Sequence, residues 1–462
     1  MNFKKITLVV AACALFNFSQ AQQTIPPFKK GERVVFVGNS ITHGGHYHSF
    51  IWLYYMTRFP DMPVNVMNAG VGGDSAWDII KRLDSDVFGK NPTYMTMTFG
   101  MNDVGYYDFY KPEAQEIAQK QIEKSLASYK SIEKKMLDAK GVTKVLIGGS
   151  PYDETSKVPN QIFPTKNAAL LKVNDFQRAS AKENGWGFVD FARPMMAIDL
   201  REQQKDTLFN LEGGDRIHPD NDGHMVMAYL FLKAQGLAGK KVAEVGIDAK
   251  GKKVELADNC KISGLQVTGN DLEFNYLANA LPYPTDSIVR GWGAHKSQKD
   301  ALKLISFTKE FNQELLKVSG LTNGTYQLKI DGQNIAQFPA SELASGVNMA
   351  ELVNTPQYQQ ATKIMILNEN RLEIERRLRD YAWMEYSFLH DKGLLFADNQ
   401  ASIDTIKANW SNVFVRGNFG VYQQAQYPEI RKNWQDQMDG MVKMIYSINK
   451  PVNHTIKLIK VQ

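Results

Sequence analysis

The stretch VVFVGNSITHGG, residues 34–45, passes from an apolar run straight into small and polar residues, with Ser40 just beyond the break. A short apolar run ended by glycine reads as a buried strand, which puts Ser40 at a strand's carboxyl end. There a serine is either a nucleophile or the cap of an ordinary helix. Three more runs of the same kind follow, VNVMNAG, YMTMTFG and KVLIGGS. Between and after them, residues 113–137, 167–183 and 223–235 carry apolar side chains at helical spacing. Such alternation predicts an α/β fold with a mostly parallel sheet covered on both faces, and a ligand site beyond the carboxyl ends of the strands.

A chain of 462 residues is long for one core. Its hydrophobic share of 43% and charged share of 22% exclude the compositions of disordered and collagen-like chains. The first residues set Lys4 and Lys5 before an apolar run that ends in Ser19-Gln20-Ala21. That pattern predicts a signal peptide over residues 1–21 and an exported chain starting at Gln22. Val10-Ala11-Ala12-Cys13 also resembles a lipobox, which would anchor the chain through Cys13 instead. Cys260 is the one cysteine beyond this segment, so no intramolecular disulfide is expected even outside the cell. Removing Lys4 and Lys5 lowers the formal charge of +5 by two, too little and too scattered for a nucleic-acid partner. No later apolar segment reaches the length of a membrane span.

The pattern divides the rest into three parts. Residues 22–239 hold the strand and helix alternation. Residues 240–352 carry short strand-like runs with Gly-Asn-Asp, Thr-Asn-Gly and Asp-Gly turns, and read as a small antiparallel β-region. Residues 353–462 are expected to be helical, with a last helix near residues 434–448. In that part Leu367, Arg371, Ile374, Leu378 and Tyr381 form a stripe assigned to packing, and Glu373, Arg376 and Arg377 are expected to be solvated.

Four segments carry the candidate chemistry: Gly38-Asn39-Ser40-Ile41-Thr42, Asn68-Ala69-Gly70-Val71-Gly72-Gly73-Asp74, Gly100-Met101-Asn102-Asp103 and Asp215-Arg216-Ile217-His218-Pro219. A serine hydroxyl needs a base to take its proton, and that base needs an acceptor on its far nitrogen. Ser40, His218 and Asp215 suit those roles. Asp215 and His218 are three apart, so one turn of backbone can set both side chains on one side, and Pro219 biases His218 toward extended backbone.

In order and content the four segments resemble the SGNH (GDSL-like) hydrolase family of esterases and lipases, over roughly residues 33–235. The resemblance implies a three-layer α/β/α, flavodoxin-like catalytic domain. It also implies an oxyanion hole formed by the backbone N–H of Ser40, the backbone N–H of Gly73 and the side-chain amide of Asn102, with no cofactor and no metal. Asn39 stands where many members carry aspartate, which keeps size and hydrogen bonding but drops a charge. The Gly-x-Ser-x-Gly elbow of α/β-hydrolases is absent, since Thr42 occupies its last position.

Trp77, Tyr106 and Tyr107, together with Tyr110, follow the catalytic segments and are candidates for substrate contact. His43, His46 and His48 cluster after Ser40 without a cysteine or carboxylate at ligand spacing, and read as helix-start or surface residues. The reading that results is an exported serine esterase cleaving small acyl esters, O-acetyl groups on carbohydrate above all. A lipase, lysophospholipase or thioesterase is the alternative within the family, separable by chain-length preference. A surface carbohydrate-binding or interaction protein is the alternative outside it, and would keep its biological activity in Ser40→Ala. Nothing in the residues bears on oligomeric state.

Overall fold

The computed structural model describes residues 24–291 and 294–461. The leader, its cleavage after Ala21 and the Cys13 alternative lie outside the described residues.

Five strands form the first sheet: β1 (Arg33–Gly38), β2 (Asn65–Gly70), β3 (Tyr94–Met97), β4 (Thr143–Gly148) and β5 (Gly187–Asp190). All pair in parallel in the order β2-β1-β3-β4-β5. Seven helices accompany them: α1 (Ser40–Gly44), α2 (Tyr47–Arg58), α3 (Ala76–Arg82), α4 (Ala114–Asp138), α5 (Lys166–Glu183), α6 (Ala192–Gln203) and α7 (Asn221–Ala234). This is the predicted three-layer α/β/α fold with a parallel sheet. The strand order reverses between β1 and β3, and the crevice beyond their carboxyl ends is where such sheets bind ligands. Every residue of α2 is buried, because α7 packs on it from one side and a C-terminal helix on another.

The second part contains β6 (Ala243–Asp248), β7 (Lys253–Asp258), β8 (Cys260–Thr268), β9 (Asp271–Ala278), the short helix α8 (Phe307–Phe311), β10 (Glu314–Ser319), β11 (Thr325–Ile330), β12 (Gln333–Pro339), the short helix α9 (Ala340–Ser345) and β13 (Val347–Asn348). The third contains α10 (Pro356–Trp383), α11 (Gln400–Ala408), α12 (Val413–Ala425), α13 (Pro428–Ile448) and a final strand, β14 (His454–Lys460).

Three expectations need correction here. The β-region is not wholly antiparallel, since β10 runs parallel to β6 from Glu314 opposite Ala243 to Ser319 opposite Asp248. The segment read as helical to its end closes with β14, which lies between β9 and β11 and fills a sheet that the preceding strands leave open. The stretch read within the β-region also leaves it: Leu281, Tyr283, Ala301, Phe307 and Phe311 are buried in the core of the first part. Phe311 sets its ring edge-on to Tyr54 and Tyr229, and the Leu281 N–H donates to Thr57 O, so the apolar faces of α2 and α7 capture this segment.

Candidate active site

Ser40 lies two residues past Gly38, the end of β1, and is the first residue of α1. Asn39, the residue before it, caps the helix by accepting the Ile41 N–H at 3.1 Å. Both readings of the opening stretch therefore hold a part: a side chain does cap the helix, but it belongs to Asn39, and the Ser40 hydroxyl is left for His218.

The Ser40 Oγ–H donates to His218 Nε2 at 2.7 Å, and His218 Nδ1–H donates to Asp215 Oδ2 at 2.5 Å. An ionised carboxylate can only accept, so the imidazole proton sits on Nδ1 and the Nε2 lone pair faces the serine. The other oxygen, Asp215 Oδ1, accepts the backbone N–H groups of Ile217 and His218, each at 2.9 Å. Burial raises the Asp215 carboxyl, but the hydrogen bonds from His218 and these two amides outweigh it and hold the group below its ordinary value. Arg216, between them, adopts φ +68°. Its buried guanidinium donates to Asp153 and to the carbonyls of Ser156 and Val158, and this anchorage sustains a backbone conformation unfavourable for a side chain.

The second and third segments meet through Asp103, which accepts from Ala76 N at 2.9 Å, Gly100 N at 2.8 Å and Ser125 Oγ at 2.6 Å. Asn102 Nδ2 donates to Asp74 O at 2.8 Å, and Asn102 Oδ1 accepts from Tyr106 Oη at 2.7 Å. Gly73 sits at φ +85°, open backbone that no side chain crowds. Ser40, Gly73, Asn102 and His218 line one open cavity of about 910 Å³, within the range of small-molecule sites.

The aromatic candidates divide. Tyr106 lines the cavity, but its hydroxyl is engaged with Asn102. Tyr107 is 71% exposed and outside the cavity lining, with its ring edge-on to Phe163, which also gathers Tyr106 and Tyr110. Trp77 lies under the Lys124 ammonium, 3.6 Å from its ring centre, and is also absent from the lining. It sits at the start of α3 and faces α4, a direction the local sequence does not disclose.

His43, His46 and His48 are buried instead of lying at the surface. His48 Nε2 donates to Thr42 O at 3.1 Å, and burial lowers the ring to about 4. His46 stands against Arg376 and Glu369. Among the described residues no group of three His, Cys, Asp or Glu is placed to hold a metal ion.

The far wall of the cavity comes from the C-terminal helices, which sequence reasoning left out of the site. Asp380 and Trp383 of α10, Tyr386 and Ser387 in the wider π-helical turn that continues it, and Val413 and Phe414 of α12 face the catalytic loops. Arg376, expected to be solvated, instead donates to Gly44 O and His46 Nε2. One signal was present in the sequence: Arg376, Arg379, Asp380 and Trp383 fall at i, i+3, i+4 and i+7, a polar and aromatic face too regular for loose surface charge.

A serine hydroxyl on an imidazole at the carboxyl edge of an α/β/α sheet is the arrangement of a serine hydrolase. Residues 36–226 match the GDSL-like lipase/acylhydrolase family, and residues 362–450 match the domain described as the diltiazem deacetylase C-terminal helical domain. The chain belongs to the GDSL-like (SGNH) hydrolases. Among solved structures it is similar to a gut microbial diltiazem-metabolizing enzyme, with 50% identity, coverage of 95% of this chain and 100% of that one, and a TM-score of 0.93. An acetylxylan esterase of Geobacillus stearothermophilus is 25% identical over 222 residues, which cover 45% of this chain and 94% of that protein.

Proposed function

We propose that the protein removes small acyl groups, acetyl above all, from an alcohol seated against the aromatic wall, through an acyl-enzyme on Ser40. The observation that carries this reading is the unbroken line from Ser40 Oγ through His218 to Asp215 at the edge of a cavity wide enough for a large alcohol. Ser40 attacks the ester carbonyl while His218 Nε2 takes its proton. The developing oxyanion is met by the N–H groups of Ser40 and Gly73 and by the second amide hydrogen of Asn102. Collapse expels the alcohol, which leaves with the proton from His218. Water, activated by the same imidazole, then releases the acid.

Acetyl esters are favoured because one relative is an acetylxylan esterase and residues 362–450 of this chain match a domain described for a diltiazem deacetylase. The full-length likeness at 50% identity includes the helices that form the wall, whereas the acetylxylan esterase covers the catalytic part alone. An alcohol with a broad aromatic face, as in diltiazem, is therefore the first choice. Acetylated carbohydrate is the second, because Trp383 and Tyr386 can also stack on a sugar ring. Acetate release from diltiazem and from acetylated xylo-oligosaccharides, with Ser40→Ala as control, tests the proposal. Release from the diltiazem arm at the higher kcat/KM is expected; a preference for p-nitrophenyl esters of eight carbons or more would overturn it. We further propose export directed by Lys4, Lys5 and the apolar run after them, with a chain beginning at Gln22 in intact-mass measurement, or a lipid on Cys13 as the other outcome.

A further inference from the structure

We propose that Trp383, on the C-terminal helix α10, is a positioning residue of the oxyanion hole, acting together with a His43–Asp380 pair that grips the neighbouring peptide. The proposal rests on the esterase reading above, in which the Gly73 N–H stabilises the oxyanion.

The geometry centres on Gly72. Its carbonyl accepts the indole N–H of Trp383 at 3.0 Å. Its N–H is accepted by His43 Nδ1 at 3.2 Å, and His43 Nε2–H is donated to Asp380 Oδ1 at 3.0 Å. Both ends of one small residue in a catalytic loop are thus tied to a helix that begins more than 280 residues later in the chain. Both partners lie beside Gly72, since a Cβ there would stand in ordinary van der Waals contact with Trp383 Cδ1 at 3.5 Å and His43 Nδ1 at 3.7 Å.

What the carbonyl bond does follows from peptide geometry. The Gly72 carbonyl and the Gly73 N–H belong to the same peptide unit, which is planar and trans, so they point in opposite directions. Fixing the oxygen toward Trp383 fixes the Gly73 N–H away from it, across the cavity that Ser40 shares. Gly73 at φ +85° has little steric restraint of its own, and without an anchor its peptide could rotate. Donation to the carbonyl also polarises the amide, which strengthens the N–H as a donor.

The second tie sets the preceding peptide. For His43 Nδ1 to accept an N–H it must be unprotonated, which leaves the single proton on Nε2 for Asp380. Burial keeps the ring below its ordinary value and therefore neutral, so this contact is a hydrogen bond between a neutral imidazole and a carboxylate. His43 itself belongs to the helix that starts at Ser40. The pair therefore sets the oxyanion loop against the nucleophile's own helix, and α10 supplies the acceptor that fixes the tautomer.

The test uses the full chain. Trp383→Phe keeps an aromatic ring in the wall and removes the indole N–H along with one ring of the bicycle. With p-nitrophenyl acetate, whose small body makes little use of the wall, turnover is expected to fall about tenfold while KM stays within about twofold. The inhibition constant of methylboronic acid, which forms a tetrahedral anion on an active-site serine, is expected to weaken by the same factor. Asp380→Ala should reproduce the loss, and Asp380→Asn, which keeps an acceptor oxygen for His43, should restore most of it. Should Trp383→Phe melt well below the parent, the Asp380 variants decide by the same readouts. Unchanged turnover, or a rise in KM alone with unchanged boronate inhibition, beside an inactive Ser40→Ala would overturn the positioning role and leave the esterase reading standing. Hydrolysis retained by Ser40→Ala would overturn both.

Discussion

Asn102 has two amide hydrogens and one carbonyl oxygen, and the surrounding residues assign each of them. The carbonyl is taken by Tyr106 Oη and one hydrogen by Asp74 O, so the second hydrogen is left to face the cavity. A flipped amide would set its oxygen against the Asp74 carbonyl, two acceptors face to face, so the contact with Asp74 fixes the orientation. Lys166 braces the same loop from beneath, donating to Met101 O at 2.7 Å with its ammonium 3.8 Å from the Tyr106 ring centre. Two outcomes follow for kinetics. Asn102→Ala removes the proposed oxyanion donor and should lower kcat by about 10²–10³ while the protein still folds, the lost bonds to Asp74 and Tyr106 costing about 1–3 kcal/mol of stability. Tyr106→Phe leaves the donor but frees its orientation, so a smaller loss of about tenfold in kcat is expected, with KM nearly constant. If Tyr106→Phe raised KM instead, Tyr106 would be a substrate contact, as its place in the sequence first suggested. The four candidate segments were legible because each is short, three following strands β1, β2 and β3 and the fourth leading into α7, where backbone and side chain act locally. The direction in which an aromatic ring beside them points depends on Phe163 and Lys124, which the local pattern does not reveal.

At the scale of elements, the long amphipathic helices α4 and α5 show in the sequence because each has one wet face and one dry one. Helix α2 does not, since all its residues are buried and no periodicity is left to read. Strand β5, Gly187-Phe188-Val189-Asp190, has only two apolar residues between glycine and aspartate and does not stand out, and β14 begins 176 positions after the end of β9, beside which it pairs. The role of α10 escaped for a related reason: its charges look solvated until their partners are in place. Arg379 donates from Nε to Gly70 O at 3.0 Å and from both terminal nitrogens to Asp86, at 2.8 and 2.7 Å. Arg82 joins the same carboxylate to Asp74, with 2.7 Å contacts to each. Burial opposes the charge on Asp86, but Arg379, Lys90 and Arg82 together hold it well below the usual carboxylate range. Removing one partner of such a buried network costs far more than losing a surface pair. Arg379→Leu should therefore lower stability by about 3 kcal/mol, read as a shift of the urea midpoint. A midpoint equal to the parent's would mean that the Arg379–Asp86 pair adds nothing to the hold of α10 on the catalytic part.

Across the whole molecule, the β-region, the C-terminal helices and the catalytic part meet at Glu314, the first residue of β10. Its Oε1 accepts from Tyr276 Oη of β9 at 2.8 Å and from Gln357 Nε2 of α10 at 3.1 Å, while Arg58 at the end of α2 bears on it electrostatically. Burial is the dominant influence and pushes the carboxyl from 4.5 up to about 7, against the smaller opposing effects of these neighbours. In the unfolded chain the same group ionises at its ordinary value. Between those limits the folded protein binds a proton that the unfolded chain has released, so stability falls as pH rises from about 4.5 to about 7 and is constant in this respect beyond. A shift of that size corresponds to a loss on the order of 3 kcal/mol. Glu314→Gln keeps the acceptor oxygen and cannot ionise. The variant should resemble the parent near pH 5 and exceed it at pH 8, where the parent must hold a buried charge at the junction. Urea unfolding of both proteins at the two pH values checks this, because every other titrating group cancels in the difference. An advantage of equal size at both pH values would assign the effect to packing, and would mean that the three parts are not joined through an ionisable contact.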